Sequence, residues 1–223
     1  MSSTRASARG IECRGRGHFT GLGQISATLN LLTFIAAHTK ALRLGTAVLV
    51  LPWHNPVLLA EQAATLDLLS QGRLDFGIGM GYRYREFAGF CMPMEEAQER
   101  FDESLASSSS PGPRTSRGRG KYWQFGDVVV EPPTAQKPHL PLWMGAGSPI
   151  KKVAAQSGKL LLDQYASFEE IGERIALFRA AVEKQGRAFD PMSVGVTRSI
   201  NVVSPSDRRR SRIASRRAGA SIG

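Results

Sequence analysis

Four short stretches of this 223-residue chain combine residue types that could do chemistry. The first is GHFTGLG, residues 17–23, where His18 precedes an aromatic ring and two glycines. A neutral imidazole there could bond a substrate, a cofactor ring or a proton in transit; a loop histidine with no role looks the same. The second is Thr46, Ala47 and Val48 within LGTAV. Small residues at a strand end let a planar ligand approach the backbone, although they are equally ordinary strand residues. The third is GIGMGY, with glycines at 77, 79 and 81. Alternating glycines allow backbone N–H groups to approach an anion such as phosphate, which makes Gly79, Met80, Gly81 and Tyr82 candidate contacts. It is not the dinucleotide fingerprint, which needs glycine where Tyr82 stands. The fourth is GAGS: Gly145, Ala146, Gly147 and Ser148, ahead of a helix expected at Pro149. Orphan N–H groups, a positive dipole end and a hydroxyl make a phosphate cradle, and a plain strand-to-helix turn uses the same residues. Cys13 and Cys91 match no metal or redox spacing, and no nucleophile–base arrangement is visible. Asp67, Asp75 and Asp163 read as cap or ion-pair residues.

The elements that must position these residues follow from punctuation and periodicity. Residues 26–40 place Leu31, Phe34, Ile35 and His38 at helical spacing, with Ser26 as a candidate cap. Leu42 to Leu51 is a β-branched apolar run without alternation, as in a strand buried on both faces. The unit repeats: a helix from Pro56 to Ser70 closing at Gly72, a strand at Leu74 to Ile78, then a helix over 93–105. Beyond lie strands at 123–131 and 140–144, a helix from 149, a strand at 160–163, a helix over 168–184 and a last strand at 193–203. Strands alternating with helices predict an α/β protein with a parallel sheet. The open doubly wound sheet and the eight-fold barrel both remain, and both place working groups at the carboxyl ends of strands.

The formal charge of +10 alone would suggest a polyanionic partner. It is concentrated in residues 1–23, 107–121 and 204–223, and the remainder of the chain is slightly acidic. These stretches are rich in Arg, Ser, Gly and Pro and poor in aliphatic residues, so they read as loop or disordered. No apolar run reaches the ~20 residues of a membrane helix and no secretory core opens the chain, so a cytoplasmic protein without a membrane partner is expected.

The blocks LRLGTAVLVLPWHNPVLLAEQAATLDLLSQGRLDFGIGMGY at 42–82, EFAGFCMPMEEAQERFDESL at 86–105, KYWQFGDVVVEPPTAQKPHLPLWMGAGSP at 121–149 and LLLDQYASFEEIGERIALFR at 160–179 resemble the bacterial-luciferase-like flavin-dependent monooxygenases. The resemblance implies a partial (β/α)8 TIM barrel of parallel strands over residues 17–203, missing its first and last elements and interrupted by a low-complexity insert at 107–120. Residues 1–16 would be an unmatched N-terminus and 204–223 an Arg-rich tail. It further implies reduced FMN, supplied by a flavin reductase, or F420, at the carboxyl ends of the strands. The flavin ring would lie near Thr46 to Val48 and the phosphate near GIGMGY and GAGS. Monooxygenase members use O2 to oxidise a small organic substrate, and F420 members transfer hydride. By the same resemblance Gly17-His18-Phe19 corresponds to the family's His-His-Phe, so His18 is the expected catalytic residue, and a homodimer is a candidate assembly. Position 80 holds Met80 where many members carry an arginine that reaches the phosphate. The alternative is an inactive barrel remnant that binds nucleic acid through its Arg-rich arms, which lack interleaved aromatics and any recognised module.

Overall fold

The computed structural model describes residues 10–13, 18–19, 26–108, 115–145, 150–155, 158–163 and 165–197. In chain order the elements are β1 (Gly10–Cys13), α1 (Thr28–His38), β2 (Arg43–Thr46), β3 (Leu49–Val50), α2 (Pro56–Leu69), β4 (Leu74–Gly79), α3 (Tyr84–Gly89) and α4 (Ala97–Ser108). They continue with β5 (Thr115–Arg119), β6 (Gln124–Val129), β7 (Leu142–Gly145), α5 (Ile150–Ala155), β8 (Lys159–Leu162), α6 (Phe168–Glu183) and β9 (Val194–Val196).

The main sheet runs β1-β2-β4-β7-β8-β9, every pairing parallel, with β3 continuing β2 along β4. Its spatial order follows chain order without reversal. A doubly wound sheet would reverse at a switch point, so the winding is that of a barrel, open between β1 and β9 among the described residues. Alternation divides the two faces. Leu44, Leu74, Ile78, Met144, Leu160 and Leu162 are buried beneath the helices with Leu32, Leu66, Phe101 and Phe178. Gly45, Asp75, Trp143, Leu161 and Gly195 line the concave side.

Helix boundaries follow local chemistry. Asn55 accepts hydrogen bonds from the amides of Val57 (3.0 Å) and Leu58 (3.2 Å), and Pro56 supplies the first turn of α2. Ser167 and Glu170 form a reciprocal capping box that starts α6. Ser26 does not cap α1, which begins at Thr28 with Ala27 at the cap position and no side-chain bond.

Arg73 ties three segments together. Its Nη1 donates to Leu42 O (2.7 Å) and Thr39 Oγ1 (3.1 Å), its Nη2 to Ala36 O and Thr39 O (each 3.0 Å), and its Nε to Ser70 O (2.6 Å). The end of α1, the entry to β2 and the end of α2 thus share one guanidinium. Asp75 pairs with Arg43 (2.7 Å), and Asp163 pairs with Arg174 (2.9 Å), as expected of ion-pair residues. Asp67 differs: fully buried, it accepts from Gln136 N (2.9 Å) and Gln136 Nε2 (2.8 Å), so amide donors serve it in place of a cation.

Several expectations are corrected. Residues 10–13 and 115–119 form strands despite their basic, low-complexity surroundings, because each has a neighbouring strand to complete its ladder. A four-residue strand therefore stands just before His18. The segment read as a strand at 123–131 lies outside the parallel sheet, paired antiparallel with β5. The run 42–51 is two strands, and α3 had no counterpart in the sequence reading. The last strand is described only as Val194–Val196, and residues 198–203 lie outside the described residues, as do 1–9, 14–17 and 204–223 of the basic arms.

The β5–β6 hairpin is held to α4 by two carboxylates. Glu103 accepts from the amides of Lys121 (3.0 Å), Tyr122 (3.1 Å) and Trp123 (2.6 Å), while Glu99 bonds Tyr122 Oη (2.6 Å) and Lys121 Nζ (2.9 Å). Glu103→Ala strands three N–H groups, each worth about 1 kcal/mol as a net hydrogen bond. We expect amide exchange at 121–123 to accelerate by about tenfold or more, with exchange in β4 and β7 unchanged. Equal protection at 121–123 in the variant would show that the hairpin is held by other contacts.

Candidate functional site

The site is built on an irregularity in one strand. β2 pairs Leu44 with Leu74 and Gly45 with Asp75, whereas β3 pairs Leu49 with Ile78 and Val50 with Gly79. Four steps from 45 to 49 therefore match three steps from 75 to 78, so one extra residue bulges at Thr46 to Val48. The Ala47–Val48 peptide is cis. Thr46 repairs the interrupted ladder with its side chain: Oγ1 donates to Gly77 O (2.7 Å) and accepts from Gly77 N (2.8 Å). Its hydroxyl is thus engaged with the neighbouring strand.

The glycines of GIGMGY answer to that bulge. A Cβ on Gly77 would lie 1.8 Å from Thr46 O, and one on Gly79 would lie 2.6 Å from Val48 Cγ2. Gly81 has φ +83°, and a Cβ there would meet Val50 Cγ1 at 2.8 Å and Phe87 Cε2 at 3.0 Å. Val48 also reaches toward Gly145, where a Cβ would stand 3.6 Å from its Cγ1. Thr46 to Val48, Gly79 and Gly145 are therefore brought together at the carboxyl ends of adjacent strands. Met80 packs against the core, and Tyr82 is exposed. Ala146, Gly147 and Ser148 lie outside the described residues.

His18 sits in an aromatic group that sequence spacing did not assemble. Its ring lies 5.7 Å from Trp53 and 4.8 Å from Phe90, both edge-on. Phe19 packs on Phe90 at 5.0 Å, with its ring where a side chain on Gly89 would stand. Trp53 continues to Phe87 (5.3 Å), which touches Gly81, so the cluster joins the loop after β4. The Trp53 indole N–H is buried without a hydrogen-bond partner. Burial, and secondly the nearby His18, push the His54 imidazole below its usual range, so it is uncharged at neutral pH. In the sequence this stretch marks only the helix start at Pro56; the Trp53-His54 pair ahead of it was the available signal.

Next to the bulge lies a cleft of about 170 Å3. It is lined by Gly45, Thr46 and Ala47, by Val196 and Thr197, and by Trp143, whose Nε1 donates to Asp75 Oδ1 (3.2 Å). Thr197 Oγ1 donates to Leu162 O (2.9 Å), which fixes the end of β9. At the end of β8, Asp163 accepts from the amides of Tyr165 (2.8 Å) and Ala166 (3.1 Å). Burial raises the Asp163 carboxyl, but these bonds and Arg174 outweigh it and hold the group below the usual carboxylate range. Among the described residues no three His, Cys, Asp or Glu side chains gather to hold a metal ion. Nor is any described helix long and apolar enough to cross a membrane.

Fold and site together define a barrel-type α/β chain whose small-residue bulge, cleft and aromatic cluster share the carboxyl end of the sheet. The model of the luciferase-like monooxygenase family matches residues 14–220; this chain belongs to that family. The flavin-dependent trigonelline monooxygenase oxygenase component of Acinetobacter baylyi is 31% identical over 155 residues, 67% of this chain and 43% of that protein. Among solved structures, the monooxygenase RslO1 of Streptomyces bottropensis superposes with a TM-score of 0.79 at 26% identity, covering 87% of this chain and 61% of that one. The oxygenating constituent of 3,6-diketocamphane monooxygenase from Pseudomonas putida, solved with FMN, has a TM-score of 0.72 at 17% identity, covering 93% and 61%, and supports the fold alone. The chain thus spans less than two thirds of each.

Proposed function

We propose that this chain is a flavin-dependent monooxygenase or oxidoreductase that binds reduced FMN, or F420, and in the monooxygenase case uses O2 to oxidise a small organic substrate. The observation that carries this reading is the convergence of Thr46 to Val48, Gly79 and Gly145 at the carboxyl ends of adjacent strands, with a cleft lined by Gly45, Thr46 and Ala47. The residues fit such a cofactor. The wall at Gly45 to Ala47 has only small side chains, as a planar ring needs, and the unpartnered Trp53 N–H offers a donor within a sheltered aromatic surface. When bound, the flavin supplies the redox chemistry, and the protein supplies position and electrostatics.

Each side chain has a task in this account. Gly45, Thr46 and Ala47 give the ring its flat support. Trp53, Phe90 and Phe19 screen the reacting face from water. His18, held edge-on by Trp53 and Phe90, is the catalytic residue that bonds the reacting group and holds or delivers a proton at its ring nitrogen. The uncharged His54 adds no positive charge beside it. The partners in this reading are a flavin reductase and a second copy of the chain, for which Phe34 on α1 and Leu58 and Leu69 on α2 present exposed apolar surface. The reaction would be cytoplasmic.

The test is rapid mixing of oxygenated buffer with reduced FMN and the full chain. The wild type should change the rate of flavin oxidation saturably. His18→Ala should keep flavin affinity within about twofold and alter that rate by about a hundredfold, the low end for loss of an acid–base group. An unchanged rate in the variant would remove His18 from its role.

A further inference from the structure

We propose that the β7–β8 side of the cleft is a subsite for an organic anion, a single-ring carboxylate held by Lys159 and Trp143. That such an acid is the substrate rests on the flavin reading above; the subsite itself does not. Side chains alternate across a strand, so Lys159 and Leu161 share the concave face of β8, opposite the buried Leu160 and Leu162. Trp143 and Leu161 line the cleft. Lys159 pairs in register with Trp143, and its ammonium stands 5.0 Å from the centre of the Trp143 ring. The indole is fixed on two sides. Its Nε1 donates to Asp75 Oδ1 (3.2 Å), and a Cβ on Gly195 would stand 3.0 Å from its Cζ3, so it packs against bare backbone of β9.

Lys159 is set apart from the other lysines by burial without a counter-charge. Lys40, Lys121, Lys137, Lys151 and Lys184 are exposed, where water solvates the ammonium. Lys152 is half-buried and pairs with Asp102. Lys159 is also half-buried, and among the described residues its ammonium has the Trp143 ring in place of a carboxylate. Asp75 does not fill that role, because its Oδ2 accepts from Arg43 Nε (2.7 Å) and its Oδ1 from Trp143. Arg43 and Asp75 balance each other, which leaves the Lys159 charge uncompensated on this part of the concave face. A half-buried ammonium carries a desolvation cost that a cation–π contact offsets only in part, and an incoming carboxylate supplies the missing partner. Size agrees with charge. The cleft holds about 170 Å3, and a cavity of about 150 Å3 admits benzene. Trp143 and Leu161 give a single ring its apolar contact. The two hydroxyls of the cleft are committed to backbone, Thr46 to Gly77 and Thr197 to Leu162, so the ammonium selects the ligand by charge.

Benzoate and benzamide share nearly one shape and differ in charge, so calorimetric titration of the full chain with each, without flavin, isolates the ammonium. The wild type should bind benzoate about tenfold more tightly, the effect of one charge-assisted contact. Lys159→Met keeps the apolar stem and should bring the two affinities within about twofold, with that for benzamide unchanged. A second measurement uses the wild type alone. Benzoate at about ten times its Kd should slow acetylation of Lys159 by acetic anhydride about tenfold, read by peptide mass, with Lys40 and Lys137 unaffected. Should Lys159→Met fail to fold, the acetylation result decides. Equal affinity for the two ligands in the wild type, a tenfold preference that survives in Lys159→Met, or an unprotected Lys159 would each overturn the proposal. So would no benzoate binding up to about 10 mM. These outcomes leave FMN binding, and with it the flavin reading, standing; a chain that binds benzoate but no FMN keeps the anion subsite while that reading falls.

Discussion

Gly77→Ala is expected to leave the chain unfolded or insoluble, because the new methyl carbon would lie 1.8 Å from the Thr46 carbonyl oxygen. The obstacle is backbone on an adjacent strand, so no rotamer relieves it. β2 would have to part from β4 where the Thr46 hydroxyl bridges them with two bonds. Overpacking of this kind costs about 3 kcal/mol or more, a large share of the 5–15 kcal/mol that keeps a typical domain folded. Gly126 and Gly172 are the controls, since a Cβ at either meets nothing within 4 Å. Gly172→Ala, inside α6, should even gain about 1 kcal/mol from helix propensity. Urea unfolding of the three variants checks this, and a Gly77→Ala protein as stable as wild type would show that the bulge does not press on β4.

Arg73→Met is expected to cost about 3–4 kcal/mol, from five acceptors that lose their donors at about 1 kcal/mol each less what water recovers at this half-buried site. Methionine keeps the apolar stem, so the loss reports the guanidinium. Lysine cannot match the fork, because its single ammonium cannot span acceptors on α1, α2 and the entry to β2. Arg73→Lys should therefore recover less than half the loss. Tryptophan fluorescence during urea unfolding gives both values, and a difference below about 1 kcal/mol for Arg73→Met would mean the five bonds are replaced by solvent.

The parallel strands from β4 to β8 and helices α2, α4, α5 and α6 were legible in the sequence because they obey short-range rules. Pro56 opens a helix that closes at Gly72, the amphipathic spacing over 168–184 marks another, and LDFGI is a short apolar run between turn residues. The barrel winding became visible when strand order proved to follow chain order. What escaped reading was set by neighbours. Residues 10–13 and 115–119 have no pattern of their own and become strands through their partners. The glycines at 77, 79 and 81 suggested an anion cradle, yet the missing Cβ atoms at 77 and 79 are also required by a bulge in the adjacent strand, whose register sequence spacing does not encode. His18 was found from its own neighbourhood, while Trp53, Phe90 and His54 came to it from 35 residues or more along the chain.

The central claim is that this chain holds a flavin at the carboxyl end of its open sheet, and equilibrium titration of the full chain with FMN tests it most directly. The account predicts saturable one-to-one quenching of flavin fluorescence with a Kd of tens of micromolar or tighter, about −6 kcal/mol or better in binding free energy. No saturable binding up to roughly millimolar flavin, where the binding free energy falls to about −4 kcal/mol, would contradict it.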